Sequence, residues 1–300
     1  MMFSGAQRSE RFEREHAQRF AIAPDGVVVG AASIRLMQNT GRAVLVLHGF
    51  NDTPQSMAYL ADALHGHGWS VFVPRLSGHG VSLSRMAREA RAGAWRDEVA
   101  RAYAELRARH DTVVVCGQSM GGALALLLAE SHPEIPALAL LAPYIGMPVR
   151  IQCQIALAWL QHPFGPYRRG RGGDRSIHDP EAKAKALSPG VITAPTMTAL
   201  RAVALAARRA LPRVRVPTLY LQSREDNRIS VDVATQAFAA LGGTHNVQRW
   251  LDGCGHIVSA DYCRAEVAQQ VIQWFARHVD APSVTIPDMP VPSPSARDAG

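Results

Sequence analysis

Long hydrophobic runs are missing from this sequence of 300 residues. No stretch approaches the roughly 20 apolar residues that a transmembrane helix needs. The first 20 residues alternate charges and contain no apolar segment of the kind that a secretory signal carries. Both absences favour a cytoplasmic location, which is our expectation from the sequence.

Cysteine is also scarce, with 4 residues that form neither a CxxC pair nor a spacing typical of a metal site. So few cysteines in a long chain do not provide the disulfide framework of a small secreted domain. We therefore predict no zinc site and reduced thiols at Cys116, Cys153, Cys254 and Cys263. A bridge between Cys254 and Cys263 is the alternative.

Acidic residues are scarce in one part of the chain. Residues 148–214 hold 11 Lys and Arg against 3 Asp and Glu, a balance of +8, whereas the whole chain carries +7. The stretch "RRGRGGDR" (168–175) raises the question of nucleic-acid binding, but neither interleaved aromatic residues nor a recognition helix accompanies it. We interpret it as a solvated loop and expect no nucleic-acid partner.

From about residue 43, short β-rich runs alternate with helical patterns. The predicted elements are strand 43–48, helix 53–68, strand 70–74, helix 95–110, strand 112–116, helix 120–132, strand 137–143, strand 218–223, helix 230–242, strand 247–251 and helix 261–279. Such alternation is typical of a mostly parallel central sheet flanked by helices. The sequence therefore predicts the α/β class.

The alternation breaks between residues 148 and 214, where helical patches and glycine-rich loops contain no clear strand. We interpret this segment as an insertion into a single core. The predicted organisation is an N-terminal arm (1–20), a core in two parts (21–147 and 215–280), the insertion (148–214) and a tail (281–300). The tail holds 5 prolines and little apolar surface, which predicts disorder.

Three glycines surround one serine in "VVVCGQSMGG" (113–122), where a predicted strand ends. Residues 117–121 form G-x-S-x-G between a strand and a helix, which is the context that this motif requires. Gly117 and Gly121 let the strand and the helix approach closely, and the sharp turn exposes the hydroxyl of Ser119. We predict that Ser119 is a nucleophile; the alternative is a glycine-rich helix start with a capping serine.

A serine hydroxyl needs a base to remove its proton and an acid to orient that base. His256 follows the last predicted strand, in the turn-rich stretch "DGCGHIV", and is our candidate for the base. Asp226 leaves the strand after the insertion and is the preferred acid. Glu225 is the reserve, whereas Asp252 is interpreted as a turn residue.

A serine that attacks its substrate creates an oxyanion, which two preorganised backbone N–H groups can stabilise. One donor is expected at Met120, directly after the nucleophile. The other is expected at Phe50 in the loop "LHGFND" (47–52), where Gly49 lets the backbone turn. His48 is then structural and braces that loop.

Together these motifs resemble the α/β-hydrolase superfamily. The stretch "VLHGFNDTPQSMAYLADALHGHGWSVFVPRLSGHG" (46–80) is similar to the bacterial carboxylesterase and monoacylglycerol lipase family, and the resemblance covers roughly residues 27–280. It implies an α/β-hydrolase fold with a helical cap, or lid, in the insertion. It also implies ester hydrolysis through an acyl-enzyme, with Ser119, Asp226 and His256 as triad and Phe50 and Met120 as oxyanion donors.

The insertion itself allows two interpretations. The stretch 197–211 is amphipathic and places its apolar residues on one face, namely Leu200, Val203, Ala204, Ala207 and Leu211. Either a mobile cap covers an acyl chain and its basic exterior contacts a lipid interface transiently, or the helix packs on the core with a solvated arginine face.

We expect hydrolysis of small to medium carboxylic esters, including lipid-derived ones, without a metal or cofactor. The same triad could instead cleave a thioester, an amide or a carbon–carbon bond, because a fold does not determine the reaction. A non-catalytic binding protein with a hydrolase-like fold is the alternative from another class.

Overall fold

The computed structural model describes residues 5–147, 149–162, 165–170 and 173–279, so the predicted disordered tail (281–300) lies outside the described residues. The helices are α1 (Gly5–Arg19), α2 (Ala58–Gly66), α3 (Leu83–Glu89), α4 (Ala92–Arg107), α5 (Met120–Ser131), α6 (Val149–Gln161), α7 (Pro180–Lys185), α8 (Ala194–Ala210), α9 (Val231–Ala239) and α10 (Arg264–Val279). The strands are β1 (Ile34–Leu36), β2 (Arg42–Leu47), β3 (Ser70–Val73), β4 (Thr112–Gln118), β5 (Leu138–Leu141), β6 (Arg168–Arg169), β7 (Val191–Ile192), β8 (Thr218–Ser223) and β9 (Val247–Leu251). Short 3₁₀ turns occupy Pro54–Met57, Gly173–Arg175 and Leu211–Arg213.

Seven strands form the central sheet in the order β1-β3-β2-β4-β5-β8-β9. The pairs from β3 to β9 are parallel, and β1 alone in this sheet runs antiparallel, against β3. This is the α/β-hydrolase fold, and the predicted mostly parallel sheet is confirmed. The sequence analysis missed β1 because three residues at a sheet edge carry too little periodicity to be recognised.

Both faces of the sheet are covered, which explains why its central strands are apolar throughout. In β4, Val113 and Val115 pack into the cluster that includes α4, α5 and α8. Val114 and Cys116 point the other way, into the cluster that includes α2 and α10. β4 therefore lies between two layers of helices, and the residues at its C-terminal end are held on both sides.

The insertion contains α6, α7 and α8, and also a two-stranded antiparallel sheet of β6 and β7. The expectation of no strand in this segment was therefore wrong, because two-residue strands leave no pattern in a sequence. The predicted apolar face of α8 is buried, and Leu200, Val203 and Ala207 belong to the main core cluster. Of the two interpretations of this segment, the structure confirms for α8 that the helix packs on the core.

Much of the predicted N-terminal arm is the helix α1, which contacts the insertion. The hydroxyl of Tyr167 donates to Glu13 Oε1 over 2.7 Å, and Arg169 pairs with Glu15 at 2.6 Å. Within the described ranges, every helix is too short or too polar to cross a lipid bilayer.

The packing of α5 against β2 generates a first prediction. A Cβ built on Gly121 would overlap the carbonyl group of Leu47, which is backbone and cannot swing away. We expect Gly121→Ala to lower the free energy of unfolding by at least about 3 kcal/mol, since overpacking by one methyl group already costs 1–3. Urea unfolding followed by circular dichroism measures this.

Gly66→Ala is the matched control, because Gly66 ends α2 and a Cβ there meets nothing within 4 Å. This variant should be as stable as the wild type or more stable by up to about 1 kcal/mol. Equal stability of the two alanine variants would contradict the close packing of α5 on β2.

Candidate active site

Ser119 lies at the turn between β4 and α5 in a backbone conformation that side chains rarely adopt, with φ +55° and ψ −114°. Its neighbours hold that conformation. The Ser119 N–H donates to Leu141 O over 2.9 Å, and its carbonyl oxygen accepts from Ala123 N at 3.1 Å and Tyr144 N at 2.9 Å. Backbone strain of this kind persists only where the surroundings over-determine it, and it is concentrated at functional sites.

The glycines of the motif are required by close approach. A Cβ on Gly117 would overlap the backbone of Gly121, and a Cβ on Gly121 would overlap the backbone of Leu47. Both glycines therefore lie where the sequence analysis placed them, at the closest contact of strand and helix.

Ser119, His256 and Asp226 form one continuous chain of hydrogen bonds. His256 Nε2 lies 2.8 Å from Ser119 Oγ, and His256 Nδ1 lies 2.7 Å from Asp226 Oδ2. Because a carboxylate only accepts, the proton of the neutral imidazole lies on Nδ1, and Nε2 accepts from the serine hydroxyl. The structure thus brings together the three side chains that were predicted as nucleophile, base and acid.

Asp226 is buried but well supplied with donors. Its Oδ2 also accepts from Gln222 Nε2 at 2.8 Å, and its Oδ1 accepts from the backbone N–H of Arg228 and of Ile229 at 2.6 and 2.9 Å. Burial pushes its pKa up, but attraction to His256 and these hydrogen bonds outweigh burial and hold the pKa below its ordinary value. The carboxylate is therefore ionised beside His256 at neutral pH.

The reserve candidates for the acid lie elsewhere. Glu225 Oε1 accepts from the Gly253 N–H at 2.8 Å, and the carboxylate of Asp252 pairs with Arg224 at 3.4 Å. Both hold the loop that leads to His256 but neither contacts its ring. Glu225 and Asp226 are thus adjacent in the sequence, but their side chains make different contacts.

The loop after β2 lies against the serine. A Cβ on Gly49 would be only 3.4 Å from Ser119 Cβ. His48 braces this loop, with Nδ1 2.9 Å from Gly49 O and Nε2 accepting from Leu76 N at 3.2 Å. Burial lowers the pKa of His48 well below its ordinary value, so the ring is neutral and keeps these two roles.

The two expected oxyanion donors are the backbone N–H groups of Met120 and Phe50. Met120 is the first residue of α5, where the backbone N–H lacks a partner within the helix. In the described part of the chain, neither its N–H nor that of Phe50 donates to a protein acceptor. Neither group is therefore committed to another bond, and the N-terminus of α5 directs a favourable dipole at its first residues.

Asp52 is a buried carboxyl group in the loop after β2, close enough to His256 to interact with its ring electrostatically. Its Oδ2 accepts from Ser56 Oγ at 2.6 Å and its Oδ1 from Thr53 N at 2.8 Å. Burial raises its pKa to about 6, although these hydrogen bonds and the attraction of His256 act in the opposite direction. Its place in the loop "LHGFND" (47–52) was the only feature of the sequence that indicated its proximity to the site.

The expectation of four reduced thiols is wrong for one pair. The structure joins Cys254 and Cys263 in a disulfide, with Cα atoms 6.0 Å apart, whereas Cys116 and Cys153 are free. The bridge closes the loop that carries His256. The sequence analysis named this bridge only as the alternative, because 9 residues of separation do not reveal that the chain returns on itself.

The triad is almost closed to solvent. Ser119 is 8% exposed and His256 is 6% exposed. His256 lies directly next to a segment of the insertion, since the Ile257 N–H donates to Ser176 O at 2.9 Å. The insertion therefore lies against the loop that carries His256.

Comparison with known proteins finds relatives that match most of the chain. The family model described as serine aminopeptidase, S33, matches residues 38–261. A thermostable monoacylglycerol lipase from Bacillus sp. (strain H-257) is 30% identical over 253 residues, which cover 84% of this chain and 97% of that protein. A carboxylesterase from Bacillus subtilis (strain 168) is 23% identical, with coverages of 79% and 93%.

Solved structures give the same result. A structure from a study of two metagenome-derived lipolytic enzymes, LipS and LipT, has a TM-score of 0.76 and 27% identity, and the match covers 86% of this chain and 100% of that chain. The fold and the site define an α/β-hydrolase of the serine hydrolase class. The chain belongs to the serine aminopeptidase S33 family, and within it the protein is a carboxylic ester hydrolase.

Asp52 generates a prediction on pH dependence. Its pKa is higher in the fold than the ordinary 3.8, so its contribution to stability is complete below about pH 4 and is lost as pH rises through 6. Asp52→Asn abolishes this loss. The stability of the variant relative to the wild type should rise by up to about 3 kcal/mol between pH 4 and 7.

Urea unfolding at half-unit pH intervals measures the difference. A constant offset between the two proteins only reflects lost hydrogen bonds, so the slope is the informative quantity. Parallel stability curves would show that Asp52 titrates alike in the folded and unfolded states.

The disulfide generates a prediction on thiol counts. A thiol reagent should titrate one group, the exposed Cys153, in the folded protein, two after unfolding and four after reduction. Replacing both Cys254 and Cys263 by serine should lower the free energy of unfolding by about 2.5 kcal/mol, as for a closed loop of about ten residues. Four reactive thiols in unfolded, unreduced protein would contradict the bridge.

Proposed function

We propose that Ser119, His256 and Asp226 are the catalytic triad through which this enzyme hydrolyses carboxylic esters. The observation that carries the proposal is the unbroken hydrogen-bond chain, 2.8 Å from Ser119 Oγ to His256 Nε2 and 2.7 Å from His256 Nδ1 to Asp226 Oδ2. A nucleophile, a base within hydrogen-bond reach and a third group orienting that base are the parts that acyl transfer needs.

In the first half of the reaction, Ser119 Oγ attacks the ester carbonyl carbon while His256 Nε2 takes the hydroxyl proton. The bond between the carbonyl carbon and the alkoxy oxygen then breaks, and Nε2 returns the proton to the leaving alcohol. In the second half, His256 deprotonates a water molecule that attacks the acyl-enzyme, and the acid is released as Ser119 recovers its proton. Asp226 stays ionised and stabilises the imidazolium.

We assign the oxyanion hole to the backbone N–H groups of Phe50 and Met120. The loop that carries Phe50 lies against Ser119. The uncharged ring of His48 holds this loop by two hydrogen bonds. Gly117 and Gly121 are the residues that allow the turn. Removal of one such donor in other serine hydrolases typically costs about 10²–10³ in kcat.

The substrate class that we propose is esters of small to medium acyl groups, including monoacylglycerols. The support is the 30% identical relative, which is a monoacylglycerol lipase. We propose residues 148–214 as the cap above the acyl group. Transient contact of this cap with a lipid interface is supported by three exposed apolar side chains on α6, Leu157, Trp159 and Leu160. The cytoplasmic location stays a prediction of the sequence.

The test is hydrolysis of p-nitrophenyl esters from acetate to palmitate and of 1-monolauroylglycerol by the wild type and Ser119→Ala. Loss of the nucleophile should lower kcat/KM by at least about 10⁴-fold on every ester. Ser131→Ala is the matched control, since Ser131 lies at the other end of α5 and its hydroxyl donates to Leu127 O at 3.3 Å. It should keep wild-type activity.

The chain-length optimum decides between an esterase and a lipase preference. An aminoacyl p-nitroanilide and an acyl thioester belong in the same series, because the same triad could cleave amides or thioesters. The proposal fails if the folded wild type turns over no ester, or if Ser119→Ala remains active.

A further inference from the structure

Asp261 is a fully buried carboxylate whose two oxygens accept four backbone N–H groups. Oδ2 accepts from His178 N at 2.8 Å and from Gly255 N at 2.7 Å. Oδ1 accepts from Asp179 N and Tyr262 N, both at 2.8 Å. A carboxylate with several backbone donors is held strongly, because charge-assisted hydrogen bonds are about twice as strong as neutral ones.

These donors belong to three separate parts of the chain. His178 and Asp179 lie in a segment of the insertion, residues 175–179, which we call the strap. Gly255 precedes the proposed base in the loop of residues 252–261, which we call the His256 loop. Tyr262 leads into α10. One side chain thus fastens the strap, the His256 loop and the start of the last helix to one another.

The His256 loop is fixed on its other side by the core. Gln118 Nε2 donates to His256 O at 3.0 Å, and Ser223 Oγ donates to Cys254 O at 2.5 Å. On the side of the strap, the Ile257 N–H donates to Ser176 O at 2.9 Å. His256 therefore stands between a fixed core and a strap whose position depends on Asp261.

We infer that Asp261 is a positioning residue for His256, which holds the base in line with Ser119 by binding the strap to the His256 loop. The inference rests on the proposed role of His256 as the base. The carboxylate binds N–H groups of both the strap and the His256 loop, so its loss would release the two segments from each other. A displacement of the base by about 1 Å is enough to cost about 10²-fold in rate.

Asp261→Asn is the test, because asparagine has nearly the same shape as aspartate. It replaces one of the two oxygens by an NH₂ group, which cannot accept the two backbone N–H groups that this oxygen accepted. Active sites are first counted by burst titration, and rates are expressed per titrated site. With p-nitrophenyl acetate, whose short acyl group depends least on the cap, we expect kcat to fall about 10–100-fold. The KM should change far less than kcat.

Asp179→Asn is the matched control. The Asp179 side chain pairs with Arg264 at 2.7 Å and caps α7, but it does not touch the His256 loop. This variant should keep the wild-type kcat per site. A residue with a merely structural role would lower the fraction of folded protein and leave the rate per titrated site unchanged.

The proton on His256 Nδ1 provides a readout that is independent of turnover. In the wild type and in Asp179→Asn, its hydrogen bond to Asp226 should give one sharp downfield proton resonance. In Asp261→Asn that resonance should broaden or shift. If the wild type cleaved no ester, the proposed function would fail, whereas this resonance would still report whether Asp261 positions the ring.

Asp261→Glu covers the case in which the asparagine variant does not fold. It keeps both oxygens but lengthens the side chain by one methylene, so the protein should fold and still lose kcat. The inference is overturned if either folded variant shows wild-type kcat per site together with an unchanged Nδ1 resonance.

Discussion

The turn between β4 and α5 is the constraint on which the rest of this site depends. Ser119 adopts φ +55° there, and the conformation is maintained by backbone bonds to Leu141, Ala123 and Tyr144. Gly117 and Gly121 allow the strand and the helix to approach so closely that side chains at these two positions would overlap backbone. Because the core packs around β4 from both sides, the backbone at Ser119 cannot relax to an unstrained conformation.

His256 reaches this serine from far away in the chain, since the two residues are 137 positions apart. The His256 loop is restrained in three ways: hydrogen bonds to the core, a disulfide between Cys254 and Cys263, and the carboxylate of Asp261. A loop has little regular structure of its own. Such restraints therefore reduce the number of conformations open to the loop and keep the His256 ring in one position. The strap takes part in them, which links the insertion to the position of His256.

Two buried carboxyl groups near the same histidine show how donors decide ionisation. Asp226 accepts from His256, from Gln222 and from two backbone N–H groups, and its pKa is lowered despite burial. Among the described residues, Asp52 accepts from Ser56 and from its neighbour Thr53, and burial raises its pKa to about 6. The acid that is suited to orient a histidine is thus the one whose charge is compensated.

The sequence by itself determined the features that are local in the chain. The alternation of strands and helices, the G-x-S-x-G turn and the glycine after β2 depend on neighbouring residues, so the parallel sheet and the position of Ser119 could be predicted. Only the tertiary structure decided between Glu225 and Asp226, joined Cys254 to Cys263, packed α8 on the core and gave Asp261 its four donors. These features arise from contacts between distant segments, and residue spacing carries no record of where such segments meet.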